Sequence, residues 1–231
     1  MESSKGERVL GNDFYYKTLP VLIIGMVIWT LTTLIFGGII GPIQITFTIG
    51  IVILLMILYF ILWIITIILA MLRQNFLSMI IFFNASLVSG MLSSTLLIYA
   101  SAVLRLELVL GLFFIAFVVG LLVLIGLLIL GLSLRDRINE KFIYPLLLFG
   151  AILLILEISL ILIFGFNPIL TITSILVLVW LFGVILWDGS RLPETIGEGY
   201  WMLAALDIFL DLINVILRIF IILVEIIADS S

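Results

Sequence analysis

The last apolar segment of the chain, Tyr200–Ile226, carries five charged or amide side chains at helical spacing. At about 100° per residue, these side chains fall on one stripe roughly 60° wide. A charge at bilayer depth costs about 2.5–3.5 kcal/mol on insertion scales, so intramembrane ionisable groups usually face a protein interior or water and mark a route for ions or protons. We therefore expect this polar stripe to face the inside of a helix bundle. Its members are Asp207, Asp211, Asn214, Arg218 and Glu225.

Two further acids stand out in the preceding apolar segments. Asp188 follows Trp187 where the preceding apolar run ends, which is also consistent with a solvated carboxylate at a helix end. Glu157 lies in LLILEISLIL, about 22 Å along its helix at 1.5 Å per residue, and Arg218 lies about 27 Å along its own. We expect an ion pair between Glu157 and Arg218 that closes the outer half of the polar stripe, because an unpaired buried charge is costly. The alternative for Glu157 is a protonated acid hydrogen-bonded to a neighbouring helix.

The composition assigns the chain to the integral membrane proteins. Of its 231 residues, 65% are hydrophobic and only 10% are charged, and its mean hydropathy is +1.53. Soluble globular chains lie far from these values. The sequence contains no histidine and no cysteine, which excludes His-ligated zinc hydrolases, imidazole proton relays and thiolate chemistry. Nothing in the charge pattern indicates a nucleic-acid partner, and the sequence identifies no protein partner.

A helical bundle of seven transmembrane spans is the predicted fold, because apolar runs of about 20 residues cross a bilayer as helices. We expect one transmembrane domain over residues 1–231, of which residues 1–18 form a cytoplasmic N-terminal tail. Polar breaks separate the runs, the last being DGSRLPETIGEG at Asp188–Gly199, where Thr195 and Glu198 have the capping-box spacing for starting the final helix. The predicted spans are Leu19–Ile40, Ile45–Leu72, Phe76–Ala100, Leu108–Leu132, Phe142–Phe166, Pro168–Asp188 and Tyr200–Ile226.

The distribution of Lys and Arg predicts the orientation. With seven spans, every Lys and Arg outside the spans falls on one side of the membrane, except Arg105. The positive-inside rule then places the N-terminus in the cytoplasm and the C-terminus outside, with the plasma membrane as the expected location. The alternative is that one apolar run is re-entrant, which would leave the C-terminus inside.

Two sequence motifs carry a resemblance to a known family. ILWDGSRL, which contains Asp188, and ALDIFLDLINVILRI, which contains Asp211, resemble the C-terminal signature of the Bax inhibitor-1 (transmembrane Bax inhibitor motif) family in its prokaryotic type. In that family one aspartate ends the sixth helix and another lies in the seventh. Seven spans, short loops and similar length agree with it. The chain departs from the family in having Trp187 and Phe209 at tyrosine positions, and an additional acid at Asp207.

The resemblance implies a pH-sensitive calcium leak controlled by two aspartates that share a proton. These would be Asp188 and Asp211, the transient contacts for calcium, and Arg73 would latch the cytoplasmic side by pairing with Asp188. Two carboxylates within hydrogen-bonding reach cannot both ionise cheaply, so the pair titrates as a unit. Carboxylate oxygens are also the ligands that calcium prefers. Asp207 and Asn214 would line the pathway with Arg218 as a counter-charge, and no resident cofactor is expected.

Other functions remain compatible with the same polar stripe. A proton-coupled transporter of another small solute could use it, and a non-transporting membrane protein could use it to hold helices together. An intramembrane aspartyl protease would also need two membrane aspartates, but its second acid follows a Gly-x-Gly-Asp pattern, whereas Asp211 follows Leu210. We therefore expect a transport protein rather than an enzyme, with calcium ions, protons and the lipid bilayer as its partners.

Overall fold

The regular secondary structure of the protein is helical throughout the residues that the computed structural model describes. These are residues 11–40, 49–138, 141, 143–146, 148–150, 152–153 and 169–228. A π-helical turn at Phe14–Thr18 leads into the first helix and a second one, Ile35–Ile40, follows it. The six long helices are α1 (Leu19–Leu34), α2 (Ile49–Met71), α3 (Asn75–Val103), α4 (Leu106–Ser133), α5 (Ile169–Gly197) and α6 (Trp201–Ala228).

In the part of the chain that the structure describes, five helical segments are long and apolar enough to cross a membrane, in agreement with a multi-pass membrane protein. The segment containing α6 is not among them, because its charged side chains interrupt the apolar run. The fifth predicted span, Phe142–Phe166, lies mostly outside the described residues, although residues 143–146, 148–150 and 152–153 are helical. The five segments are Phe14–Gly38, Gly50–Met71, Asn75–Val103, Leu106–Ser133 and Ile172–Gly197.

The predicted break between the last two spans is wrong. The structure continues α5 through Asp188 to Gly197. Pro193 lies inside this helix. It cannot donate to the carbonyl four residues earlier and its ring crowds that carbonyl, a disruption that a membrane helix tolerates. Thr195 and Glu198 therefore do not start the final helix as predicted, since Thr195 belongs to the last turn of α5.

A Schellman motif ends α5 and sets the start of α6. The amide of Tyr200 donates to the carbonyl of Thr195 at 2.9 Å, and the amide of Gly199 donates to the carbonyl of Ile196 at 2.9 Å. Gly199 has φ +89°, the left-handed conformation that this motif requires and that glycine adopts without a steric penalty. The end of α5 is thus set by this backbone motif at Gly199 and not by the polar residues that follow Asp188.

The chain divides into two compact units, and the first comprises Met1–Leu110 with Leu192–Phe209. Its core joins α1, α2 and α3 to the first turns of α6. Phe209 is fully buried, and its ring lies 4.9 Å from Phe82 and 5.7 Å from Trp63 between centroids. A face of α3 made of small side chains packs on α1, where Trp29 Nε1 donates a hydrogen bond to Ser93 Oγ at 3.0 Å. Aromatic packing therefore fixes the helix that carries the polar stripe.

The second unit comprises Gly111–Arg191 and Leu210–Ser231, and here α4 contacts both α5 and α6. A Cβ atom on Gly120 would lie 2.8 Å from Cγ1 of Ile216 in α6. Further along the same two helices, the rings of Phe113 in α4 and Phe220 in α6 meet edge to face, with 5.8 Å between their centroids. The fourth helix is thus a packing partner of the polar-stripe helix, and this unit contains both aspartates of the predicted pair.

Candidate functional site

Asp188 and Asp211 are joined by a side-chain hydrogen bond in the second unit. Asp188 is half-buried on α5, and Asp211 on α6 is only 5% exposed. Contact is possible because α5 does not end at Asp188, so this residue lies within a helix and faces its neighbour. A hydrogen bond between two carboxyl groups requires a proton on one of them, since an ionised carboxylate only accepts. Two carboxyl groups in this arrangement can share one proton.

A close helix crossing positions the Asp188 side of the pair. A Cβ atom on Gly131 of α4 would lie 2.5 Å from the carbonyl oxygen of Leu186, and one on Gly189 would lie 3.0 Å from the carbonyl oxygen of Leu128. The two helices therefore meet backbone to backbone, as small residues permit in membranes. Since Gly189 directly follows Asp188, this crossing fixes the position from which the carboxyl group reaches Asp211.

Arg191 is a charged neighbour of the pair that the sequence analysis did not identify. It lies three residues after Asp188 on α5 and attracts its carboxylate electrostatically. Its guanidinium carbon lies 4.8 Å from the centroid of the Trp187 ring, a cation–π contact. The sequence did contain a signal for this contact in the spacing of Trp187, Asp188 and Arg191, because side chains three and four residues apart are neighbours on a helix. The predicted loop at Asp188–Gly199 concealed it.

Arg73 lies in the turn between α2 and α3, in the first unit. It is the one non-glycine residue with positive φ among the described residues, at 59°. Its amide donates to the carbonyl of Ala70 at 3.0 Å and that of Gln74 donates to Leu69 at 2.9 Å, so Arg73 occupies the left-handed position of a Schellman motif. Its guanidinium carbon lies 4.9 Å from the centroid of the Tyr200 ring. The latch between Arg73 and Asp188 stays a prediction.

Arg218 is half-buried on α6 and belongs to the second unit. Its Nη1 donates to Ser174 Oγ of α5 at 3.5 Å, the long end of the hydrogen-bond range. Ser174 is fully buried. The predicted partner Glu157 lies outside the described residues, so the ion pair between Glu157 and Arg218 stays a prediction. The contact with Ser174 does show that this cation is directed towards a neighbouring helix.

The remaining members of the polar stripe differ in exposure. Asp207 and Glu225 are half-buried, whereas Asn214 is exposed on the surface of α6. Asn214 and Asp211 mark opposite edges of a stripe roughly 60° wide, so one edge can face a helix while the other does not. Asn214 lies on the exposed edge of the stripe. Its role as pathway lining, like that of Asp207, stays a prediction.

The acidic side chains do not form a cluster typical of a resident metal site in the part of the chain that the structure describes. No group of three or more His, Cys, Asp or Glu side chains comes together there. A calcium ion takes six to eight oxygen ligands, more than the two carboxyl groups of Asp188 and Asp211 offer.

Comparison with known proteins gives no assignment. No protein-family model matches the chain, and neither a curated protein nor a solved structure matches it.

Proposed function

We propose that this protein is a pH-sensitive calcium leak whose gate is the Asp188–Asp211 carboxyl pair. The observation that carries the proposal is the hydrogen bond between these two groups on consecutive helices of a membrane protein. Its sequence support is the resemblance of ILWDGSRL and ALDIFLDLIN to the Bax inhibitor-1 signature. Asp207, Asn214 and Arg218 are the proposed lining and counter-charge of the route.

The shared proton supplies the gating chemistry. While one proton lies between Asp188 and Asp211, the hydrogen bond holds α5 against α6. When the pair loses that proton, two negative charges face each other within hydrogen-bonding distance, and their repulsion favours separation of the side chains. The leak should therefore increase as the pH rises. The separated carboxylates would then offer oxygen ligands to a passing calcium ion.

Arg73 is the proposed latch of the cytoplasmic side. The left-handed backbone of Arg73 supports a special role for this residue, because a non-glycine residue there costs about 1–2 kcal/mol. Observed strain of this kind is a reason to propose function.

A flux assay in liposomes tests the proposal. The purified protein is reconstituted into vesicles that contain a calcium-sensitive dye, and calcium entry is measured between acidic and alkaline pH. We expect entry to rise with pH in the native protein. In Asp188→Asn and Asp211→Asn the amide can donate to the remaining carboxylate at any pH, so the pH dependence should flatten. Asp136→Asn, which changes an exposed acid after α4, is the matched control and should leave the profile unchanged.

The same assay separates the alternatives. A folded protein that passes no calcium at any pH would rule out the leak and favour a structural role. Flux of protons with another solute, but not of calcium, would favour a coupled transporter. Cleavage of a membrane peptide that both aspartate substitutions abolish would favour an intramembrane protease.

A further inference from the structure

Arg191 lies beside both Trp187 and Asp188 on α5, and Asp188 contacts Asp211. The ring of Trp187 lies 4.8 Å from the guanidinium carbon of Arg191, four residues later. Asp188 lies between them in sequence and is attracted by Arg191 while it hydrogen-bonds to Asp211. The carboxyl pair therefore has a cation from the protein itself at its side.

This arrangement depends on the continuation of α5 beyond Asp188. In a loop, Arg191 would be free to turn to water. In the helix, spacings of three and four residues place Arg191 beside both Asp188 and Trp187. The Gly131–Gly189 crossing fixes the backbone between them. Tryptophan is also the aromatic side chain that binds a guanidinium most strongly, and it stands where the Bax inhibitor-1 signature has a tyrosine.

We propose that Arg191, held by Trp187, is an internal competitor for the cation that approaches the Asp188–Asp211 pair. This inference rests on the proposed function, since it assigns the regulation of the same site. A fixed positive charge beside Asp188 partly neutralises its carboxylate and so weakens the electrostatic attraction that a divalent cation would feel there. It also repels that cation directly. The charge of Arg191 thus sets how readily the site accepts a divalent cation. Trp187 is the positioning residue that keeps Arg191 in place.

The test compares variants of Arg191 by the calcium concentration that gives half-maximal flux, measured at one pH where the native protein conducts. Exposed charge pairs contribute about 0.2–1 kcal/mol, so Arg191→Gln should lower this concentration by a factor of about 1.4 to 5, at roughly 1.4 kcal/mol per factor of ten. The maximal flux should change less. Arg191→Lys keeps the charge and should stay close to the native value.

Trp187 provides the second arm. Trp187→Leu removes the ring and releases the guanidinium, so it should shift the half-maximal concentration in the same direction as Arg191→Gln. Trp187→Tyr keeps an aromatic face and should shift it less. Arg137→Gln removes a cation from the turn after α4 and is the control for a general change of surface charge.

Binding of Mn²⁺, followed by electron paramagnetic resonance of the protein in detergent, separates failure of this inference from failure of the proposed function. If calcium flux is absent but Arg191→Gln binds Mn²⁺ more tightly than the native protein, the leak is refuted and the competition stands. If flux is present and neither its half-maximal concentration nor Mn²⁺ binding changes in Arg191→Gln, the competition is refuted and the leak stands. Absence of both flux and Mn²⁺ binding refutes both.

Discussion

Gly131 and Gly189 bring α4 and α5 into backbone contact beside the carboxyl pair. A Cβ atom on Gly131 would lie 3.1 Å from the Cα atom of Gly189 and 2.5 Å from the carbonyl oxygen of Leu186. Neither is the end of a flexible side chain, so the helices would have to separate to admit a methyl group. The exact distance between these two helices is therefore a condition for the contact between Asp188 and Asp211.

Gly131→Ala should lower both the stability and the pH sensitivity of the protein. Overpacking of a tight contact costs about 1–3 kcal/mol, and displacement of α5 would move Asp188. Thermal unfolding in detergent and the liposome assay measure the two effects. Gly126→Ala is the matched control, because it lies on the same helix and a Cβ atom there meets nothing within 4 Å. Equal stability of the two variants would contradict the proposed constraint.

Gly199→Ala should destabilise the junction of α5 and α6. Its φ of +89° is a conformation that alanine avoids, at a cost of about 1–2 kcal/mol. Gly197→Ala, two residues earlier, lies in the helix with open space around its Cβ position. That substitution should stabilise by about 0.5–1 kcal/mol. Thermal unfolding of the two variants should therefore shift in opposite directions, and a shared direction would argue against the Schellman assignment.

The backbone and the side chain of Arg73 should have opposite effects on the stability of the protein, and two substitutions separate them. Arg73→Ala removes the cation–π contact with Tyr200 but keeps the left-handed strain, so we expect destabilisation by about 0.5–1 kcal/mol. Arg73→Gly removes the contact and the strain together and should be more stable than Arg73→Ala by about 1 kcal/mol. Thermal unfolding gives the comparison. Flux measured on both variants then reports the latch separately, since both lack the guanidinium.

The proposed ion pair between Glu157 and Arg218 calls for a double-mutant cycle. Arg218→Ala, Glu157→Ala and the double variant are compared by thermal unfolding. Removal of one partner alone leaves an uncompensated charge in the membrane, so each single change should cost more than half of the double change. Residues in contact couple by about 0.5–3 kcal/mol. Independent, additive effects would show that Arg218 relies on other groups, among them Ser174.

The predicted orientation is accessible to thiol labelling, because the chain has no cysteine and gives no background. Glu107→Cys, at the start of α4, and Asp136→Cys, after its end, place single thiols at exposed positions near opposite ends of one helix. In intact cells a membrane-impermeant reagent should label Glu107→Cys, and Asp136→Cys should react only after permeabilisation. The reverse pattern would place the N-terminus outside.

The sequence predicts most helix bounds because strong apolar runs end at polar residues. The predicted span Leu108–Leu132 and the observed α4, Leu106–Ser133, differ by two residues or fewer at each end. The largest error, at Asp188–Gly199, has a local cause. Gly189, Ser190 and Pro193 are typical of loops, but hydrogen bonds of the flanking residues and packing on α4 continue the helix, and the actual stop is the left-handed backbone of Gly199.

The candidate site was predictable only in part. The types and spacing of the stripe residues identify a polar helix face, and the family resemblance selected Asp188 and Asp211 from the available acids. Their contact could not be derived from spacing, because it depends on how close α4, α5 and α6 approach one another. Neither the sequence around Gly131 nor the sequence around Gly189 indicates by itself that these two glycines meet. Likewise, the exposure of Asn214 depends on neighbouring helices and not on its own sequence.

The short connection between α5 and α6 also affects how the carboxyl pair would recover after it separates. Only Glu198, Gly199 and Tyr200 join the two helices, and the backbone amide of each donates a hydrogen bond to the last turns of α5. A tether this short and stiff keeps the two carboxyl groups at a high effective concentration even when their hydrogen bond is broken. Little loop entropy is regained on opening. The pair would therefore re-form without a search through conformations, as the proposed gate requires if it is to follow rapid changes in proton concentration.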